Sequence, residues 1–265
     1  MKAPIKYFGG KGTMYKDILF HFPSNETFNI YIETFGGSAA ILLANPNFPN
    51  VEIYNDLEKN VYSLFKVLSN KALFQEFKEK CDLTYYCNEI RKDFKLSLKN
   101  DELTLVDRAY KFFIVNRTSH NGIGGFSINN VIRRGMSKSV SDFLSSIDRL
   151  SQLHERLSRV IIENQDAFKL LEKYNQPNVF VYSDPPYHQS TRTTTRYDVD
   201  MNNNQQKQFI DLMLNSKAKN LISGYRNSEY ERLELSGWKR IDFEKHTVDG
   251  KRQPKTVIES LWKNY

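Results

Sequence analysis

Short apolar runs that end in polar or glycine-rich residues recur along this chain, and each reads as a strand. Residues 29–35 run into Gly36-Gly37-Ser38, residues 51–54 into Asn55-Asp56, and residues 160–162 into Glu163-Asn164-Gln165-Asp166. Residues 179–182 run into Asp184-Pro185-Pro186-Tyr187, and residues 220–223 into Gly224-Tyr225. Two further runs, 238–248 and 256–262, pair as an antiparallel hairpin. Helix-compatible stretches separate the earlier runs, and that alternation predicts an open α/β sheet. In such a sheet, ligands bind beyond the carboxyl ends of the strands. The chemically distinctive residues fall at those ends.

The pattern is interrupted between the second and third runs by about ninety residues, far more than an ordinary connection needs. Residues 61–113 carry apolar positions three or four apart with Lys and Glu between them, which predicts helices. Residues 116–138 differ, with Gly122, Gly124, Gly125 and Gly135 among Asn, Ser and arginines. This stretch predicts an irregular polar loop or hairpin. Helix is expected again from Ser141 as N-cap, with Leu144, Ile147, Leu150, Leu153 and Leu157 on one apolar face. The organisation expected is a core domain of residues 1–60 and 155–265, with a mainly helical subdomain inserted at 61–154.

Composition narrows the class but not the activity. Hydrophobic content of 40% and charged content of 26% over 265 residues suit a globular protein. The net charge of +7 and pI near 9.1 suit a polyanionic partner without requiring one. Cys81 and Cys87 lack the number and spacing of a disulfide framework or a zinc site, which fits a reducing cytoplasm. No apolar run approaches 18 residues and no signal peptide opens the chain, so neither membrane spanning nor secretion is expected. The five histidines show no ligand spacing, so no metal is expected.

The candidate chemistry starts with Asp184-Pro185-Pro186-Tyr187. Two prolines must stop the preceding strand, because neither donates a ladder hydrogen bond and each fixes φ. The stiff turn that results offers a carboxylate, carbonyls and an aromatic ring to a planar amine. Near the start, Gly9-Gly10-Lys11 combines permissive backbone with an ammonium suited to a carboxylate. Phe35-Gly36-Gly37-Ser38 follows a strand and opens a helix, as nucleotide loops do, but lacks the GxGxxG pattern. Glu33 beside it would repel a pyrophosphate and accept the cationic groups of S-adenosylmethionine. Asp56 stands where an acidic side chain grips ribose hydroxyls. Asp166 closes the third strand as a partner for an adenine amine, with Ala167 and Phe168 beside it.

The ordered set of Tyr7-Phe8-Gly9-Gly10-Lys11, Glu33-Thr34-Phe35-Gly36-Gly37-Ser38, Asp56, Asp166 and Asp184-Pro185-Pro186-Tyr187 resembles the Dam-type, D12-class DNA adenine-N6 methyltransferases. Ile222-Ser223-Gly224-Tyr225 and Glu259-Ser260-Leu261-Trp262 extend the resemblance over essentially the whole chain. Tyr7 stands where many members carry Trp, and the tip at 116–125 is closer to phage and orphan variants than to GATC readers. The resemblance implies a Rossmann-like methyltransferase sheet with a target-recognition insert, and S-adenosylmethionine as cofactor. It implies that Asp184 and the Pro185 carbonyl accept the two N–H bonds of adenine N6, and that Tyr187 stacks on the flipped base. Stacking needs the ring of Tyr187, so loss of its hydroxyl is expected to be tolerated.

Implied cofactor contacts are Tyr7, Gly9, Gly10, Lys11, Glu33, Phe35, Gly36, Gly37, Ser38, Asp56, Asp166, Ala167, Phe168 and Asp184. Double-stranded DNA is the expected partner. Arg117, Asn121, Arg133, Arg134 and Lys138 are candidate contacts in the insert, and Arg192 and Arg196 in the loop after the turn. A cognate restriction enzyme is a further expected type of partner. The setting expected is the cytoplasm of a bacterial or phage-infected cell. Methylation of an RNA adenine or a protein glutamine is the competing reading; those enzymes more often carry Asn at the first turn position and lack this insertion. A dinucleotide oxidoreductase is disfavoured by Glu33. Thermal melting separates the classes: S-adenosylhomocysteine should raise the melting temperature and NAD should leave it unmoved, with stabilisation by NAD alone refuting the methyltransferase reading.

Overall fold

The computed structural model describes residues 1–7, 9–45, 50–187, 200–248 and 254–265. The chain divides into two compact units. One comprises Met1–Tyr15, Gly37–Pro46 and Glu58–Asn164; the other comprises Lys16–Gly36, Asn47–Leu57 and Gln165–Tyr265. Elements are numbered in chain order across both.

The second unit carries the sheet. Its strands are β1 (Ile30–Glu33), β2 (Val51–Asn55), β6 (Val179–Ser183), β7 (Lys219–Gly224), β8 (Lys239–Val248) and β9 (Pro254–Lys263). They lie in the order β2-β1-β6-β7-β9-β8. The first four are parallel, with Ile32 opposite both Ile53 and Val181. β8 and β9 form the expected antiparallel hairpin, but β9 is the strand that joins the sheet, antiparallel to β7. Its apolar residues explain that choice. Leu261 and Trp262 are almost wholly buried.

Alternation along the strands builds two different faces. Ile32, Ile53, Val179, Val181 and Ile222 turn to one side and pack with Leu170 of α9 (Ala167–Lys173), Phe209 and Met213 of α10 (Asn203–Leu214), and Leu233 of α11 (Ser228–Leu235). Tyr31 and Phe180 turn to the other, where they meet Phe22 and Phe28; the rings of Phe22 and Phe180 lie 4.6 Å apart, centroid to centroid. A short helix α1 (Tyr15–Phe20) precedes this aromatic layer. Burial of both faces is what a largely parallel sheet requires.

The first unit is mainly helical. It contains α2 (Ala40–Ala44), α3 (Lys59–Ser69), α4 (Lys71–Asp82), α5 (Asn88–Ser97), α6 (Leu105–Thr118), α7 (Lys138–Asp148) and α8 (Leu150–Leu157), with short strands β3 (Ile132–Arg133), β4 (Met136–Ser137) and β5 (Ile161–Glu163). α6 is its centre, packed against α3, α4 and α5 through Val106, Ala109, Phe113 and Ile114. His154 is a packing residue here: it stacks on Phe74 at 4.3 Å and its Nδ1 lies 2.8 Å from the Leu68 carbonyl.

Three expectations need correction. α6 runs through Asn116, Arg117 and Thr118, so the irregular stretch starts at Ser119. The cap of α7 is Ser137, whose Oγ accepts from the Ser139 amide, because β4 hands the chain straight into the helix. Ser141 is already one turn inside, and the continuous stripe breaks at Arg149 into two helices. Leu144 faces outward at 41% exposure, whereas Ile147, Leu150, Leu153 and Leu157 are buried. Within the irregular stretch, β3 and β4 form a hairpin around Arg134 and Gly135, with φ of 54° and 72°. Two left-handed central residues give the turn that best matches strand twist.

No described helix is long and apolar enough to cross a membrane. Arg108 supplies a test of the helical unit. It is 3% exposed and donates to Asn60 Oδ1 at 3.1 Å, to Leu98 O at 3.2 Å and to Asn100 O at 2.6 Å. Arg108→Met should leave those acceptors short of donors and cost about 2–4 kcal/mol in chemical denaturation. A loss below about 0.5 kcal/mol would show that these bonds are dispensable.

Candidate functional site

In the second unit, the carboxyl ends of β2, β1 and β6 gather most of the residues singled out in the sequence. From β1 the chain order moves outward to β2 on one side and to β6 on the other. That reversal is the point where open α/β sheets leave a crevice. Ser183 closes β6, and Asp184 follows it directly. The Ser183 and Thr34 hydroxyls lie 2.9 Å apart, and the Thr34 amide donates to the Tyr182 carbonyl at 3.3 Å, so the ends of β1 and β6 are held together.

The turn is fixed from several directions. Ser223 Oγ donates to Asp184 Oδ1 at 2.8 Å and lies 3.1 Å from the Tyr182 hydroxyl. Gln206 Nε2 donates to the Pro186 carbonyl at 2.7 Å. The Tyr187 hydroxyl donates to Glu259 Oε1 at 3.0 Å, and its ring sits 4.6 Å from that of Tyr225. Asp184 and Tyr187 remain half-buried, while Pro185 is buried. The arrangement presents a carboxylate and a ring at a rigid strand end.

Two more carboxylates stand on the neighbouring strand ends. Glu33 ends β1, is buried, and accepts from the Tyr31 hydroxyl at 2.8 Å. Burial, reinforced by Glu33, pushes the Tyr31 phenol well above its usual pKa. Asp56 follows β2 and is buried. Between them, Asn55 clips the edge. Its Nδ2 donates to Thr34 O and Gln165 O, both at 3.0 Å, and its Oδ1 accepts from the Gln165 amide at 3.0 Å. Asp166 caps α9 through the Phe168 amide at 2.7 Å, with Ala167 buried and Phe168 half-buried against the core. Gly36 donates to Asn55 O at 2.9 Å and lies against Tyr54; a Cβ at residue 36 would fall inside that ring. Phe35 packs edge-on to Phe209 at 5.9 Å.

The other predicted loop residues belong to the first unit. Gly10 donates to Tyr7 O at 3.1 Å, and Lys11, 3% exposed, donates to the Gly9 carbonyl at 3.3 Å. Gly37 adopts φ of 50° with the Tyr7 ring 2.9 Å from where a Cβ would stand, so no side chain fits. Buried Ala39 also takes a left-handed φ, of 55°, at the start of α2. Strained non-glycine backbone of this kind concentrates at functional loops. A cleft of about 630 Å³ is lined by Tyr7, Gly10 and Ser38 together with Lys2, Lys6 and Tyr15.

The basic tip also lies in the first unit. Arg133 Nη1 and Lys138 Nζ both reach Asp142, at 2.8 and 2.6 Å, and Arg134 donates to Ser145 Oγ at 3.2 Å. Lys138 foremost holds the Asp142 carboxyl below the usual range. Arg117 differs from these exposed cations. Its Nε is buried without a hydrogen-bond partner among the described residues, its Nη2 lies 3.5 Å from the Asp142 carbonyl, and burial, with Arg149 nearby, lowers its pKa to about 10. Asn121 is exposed with φ of 51°. Phe8, Arg192 and Arg196 lie outside the described residues. Among the described residues, no three metal-type side chains cluster.

Sequence reasoning missed Asn55, Gln206, Ser223 and Glu259 as parts of this edge. The one local signal was Glu259, a carboxylate set between the apolar pairs Val257-Ile258 and Leu261-Trp262.

Comparison with known proteins gives one family and two methyltransferase relatives. The family model of the D12 class of N6 adenine-specific DNA methyltransferases matches residues 7–252. Type II methyltransferase M.MjaIII of Methanocaldococcus jannaschii is 28% identical over 222 residues, 75% of either chain. Type II methyltransferase M.CviBI of Paramecium bursaria Chlorella virus NC1A is 26% identical over 198 residues, 71% of this chain and 69% of its own.

The clip made by Asn55 predicts its own test. Asn55→Ala removes two donors and one acceptor from a residue 1% exposed, which should cost about 2–4 kcal/mol. Asn55→Asp, which keeps the acceptor but cannot donate, should fare no better. Denaturant titration of both variants decides the point, and wild-type midpoints would mean that the strand ends hold without the clip.

Proposed function

The chain belongs to the D12 class of N6 adenine-specific DNA methyltransferases, and from that premise we propose that Asp184-Pro185-Pro186-Tyr187 receives the amine of an adenine turned out of double-stranded DNA, with S-adenosylmethionine as methyl donor. Membership makes it an enzyme that methylates DNA at adenine N6 in a site-specific way. The observation that best supports this use of the turn is the Asp184 carboxylate, oriented by Ser223 at the strand end beside β1.

Adenine N6 is a poor nucleophile because its lone pair is delocalised into the ring. Asp184 and the Pro185 carbonyl, accepting its two N–H bonds, draw that lone pair out of conjugation. When bound, the donor supplies an electrophilic methyl group on a positively charged sulfur. The residues of the second unit suit such a molecule: Glu33 and Asp56 are buried carboxylates on adjacent strand ends, fit for hydroxyl and ammonium groups and hostile to a pyrophosphate. Phe35, Gly36, Asp166, Ala167 and Phe168 are the proposed neighbours of its adenosine moiety. Catalysis then rests largely on alignment, which alone can supply several powers of ten in rate. A base inside a duplex cannot reach a strand-end turn, so the target must be flipped, with Tyr187 as the stacking face.

The exposed Arg133 and Arg134 of the β3–β4 hairpin are the proposed readers of base edges, and Asn121 and Lys138 are further proposed DNA contacts. Arg117 fits a supporting role better, given its buried Nε.

Incubation with labelled donor and unmethylated DNA, followed by digestion to nucleosides, tests the reading. Wild type should yield N6-methyldeoxyadenosine, and Asp184→Ala should lose about 100-fold or more in turnover with little change in DNA affinity. Near-normal turnover would remove Asp184 from the mechanism. Loss of an arginine that reads guanine should cost about 1–3 kcal/mol and relax discrimination at one position. Arg133→Ala and Arg134→Ala on single-base-changed duplexes at two salt concentrations separate readers from phosphate contacts. Unaltered site preference and salt slope in both would place recognition elsewhere.

A further inference from the structure

Glu259 sits in the interior of β9 with no solvent exposure. A carboxylate in such a place is strongly disfavoured unless hydrogen bonds hold it. One of those bonds comes from the turn itself, through the Tyr187 hydroxyl at 3.0 Å. The Tyr187 ring is meanwhile pressed against Tyr225, with centroids 4.6 Å apart and planes inclined by 59°. The preceding carbonyl, of Pro186, is pinned by Gln206. Tyr187 is therefore held at its hydroxyl, by its ring contact with Tyr225 and at the preceding backbone carbonyl.

The hydroxyl tether has a specific consequence. An aromatic side chain at the end of a turn can swing about two side-chain bonds. Bonding its far end to a buried group on a sheet strand removes that freedom before any substrate arrives. Order established in advance lowers the cost of binding. We propose that Glu259 is a positioning residue for base capture, holding the Tyr187 ring at the inclination from which it stacks on the flipped adenine. This rests on the reading of the turn as the N6 site. It also reverses the expectation for Tyr187→Phe, which keeps the stacking surface but loses the tether and leaves Glu259 short of a donor.

A duplex carrying 2-aminopurine at the target adenine reports flipping by its fluorescence. Flipping amplitude, single-turnover rate, S-adenosylhomocysteine affinity and melting temperature would be measured for wild type, Glu259→Leu, Glu259→Gln, Tyr187→Phe and the Tyr187→Phe/Glu259→Leu double variant. Glu259→Leu should lower flipping amplitude and rate by about tenfold, with S-adenosylhomocysteine affinity within about twofold of wild type. Glu259→Gln, whose amide oxygen still accepts, should recover to within about threefold of wild type. Tyr187→Phe should fall to the level of Glu259→Leu, and the double variant should be no worse than either single.

Wild-type flipping in Glu259→Leu, or losses that multiply in the double variant, would overturn the proposal. If Glu259→Leu fails to fold, Tyr187→Phe against Glu259→Gln carries the test: an unimpaired Tyr187→Phe overturns it. A wild-type enzyme that forms no N6-methyladenine overturns the reading of the turn and this proposal with it. Methylating wild type with neutral Glu259 variants overturns this proposal alone.

Discussion

The carboxyl edge of the sheet depends on hydrogen bonds that continue past the last ladder pair. Where parallel strands end, carbonyls and amides lose their neighbours and must find others. Asn55 satisfies three such groups with one side chain, joining the end of β1 to the segment before α9. The Thr34–Ser183 contact and the Ser223–Asp184 bond continue the same work toward β6 and β7. Neutral side chains thus supply much of the structural bonding at this edge, and the carboxylates share in it as acceptors already oriented. A site assembled in this way needs little rearrangement when charge develops on a substrate.

Much of this was legible in the sequence because local rules wrote it. The strands announced themselves by β-branched and aromatic runs, and the two prolines ended β6 where a ladder bond was no longer possible. The family likewise was readable from the order of its motifs. Asn55, Ser223 and Glu259 were not legible as parts of the edge, since each acts on residues far away in the chain and no periodicity marks such pairs. The cap at Ser137 escaped for another reason. A hairpin strand runs into α7 without a loop, so the polar, basic stretch up to Lys138 read as irregular and Ser141 looked like the start. The position of β9 inside β8 was likewise a matter of which strand had more apolar surface to bury.

The basic tip shows how charge can be held in readiness. Asp142 accepts from Arg133 and Lys138 at once, and its backbone carbonyl faces Arg117. Both ion pairs are substantially exposed, so water and salt weaken them and each contributes little to stability. The same weakness suits an exchange of partners, because a nucleic-acid phosphate offers these cations a similar anion. Arg117 belongs to a different regime. Its lowered pKa of about 10 still leaves it charged at neutral pH, and its burial ties it to the packing between α6 and α7.

Gly36 and Tyr54 illustrate how a motif can be frozen by its own neighbours. Any Cβ at position 36 would overlap the Tyr54 ring, and the ring is itself fully buried. Neither position can drift alone: bulk at one is forbidden while the other stands, and a smaller residue at 54 opens a void. Lineages that abandon this glycine should therefore change residue 54 in the same step or pass through a crippled intermediate. In lineages that keep residue 54 aromatic, persistence of the glycine would record a packing constraint inherited in pairs, even where the demands of the ligand had relaxed.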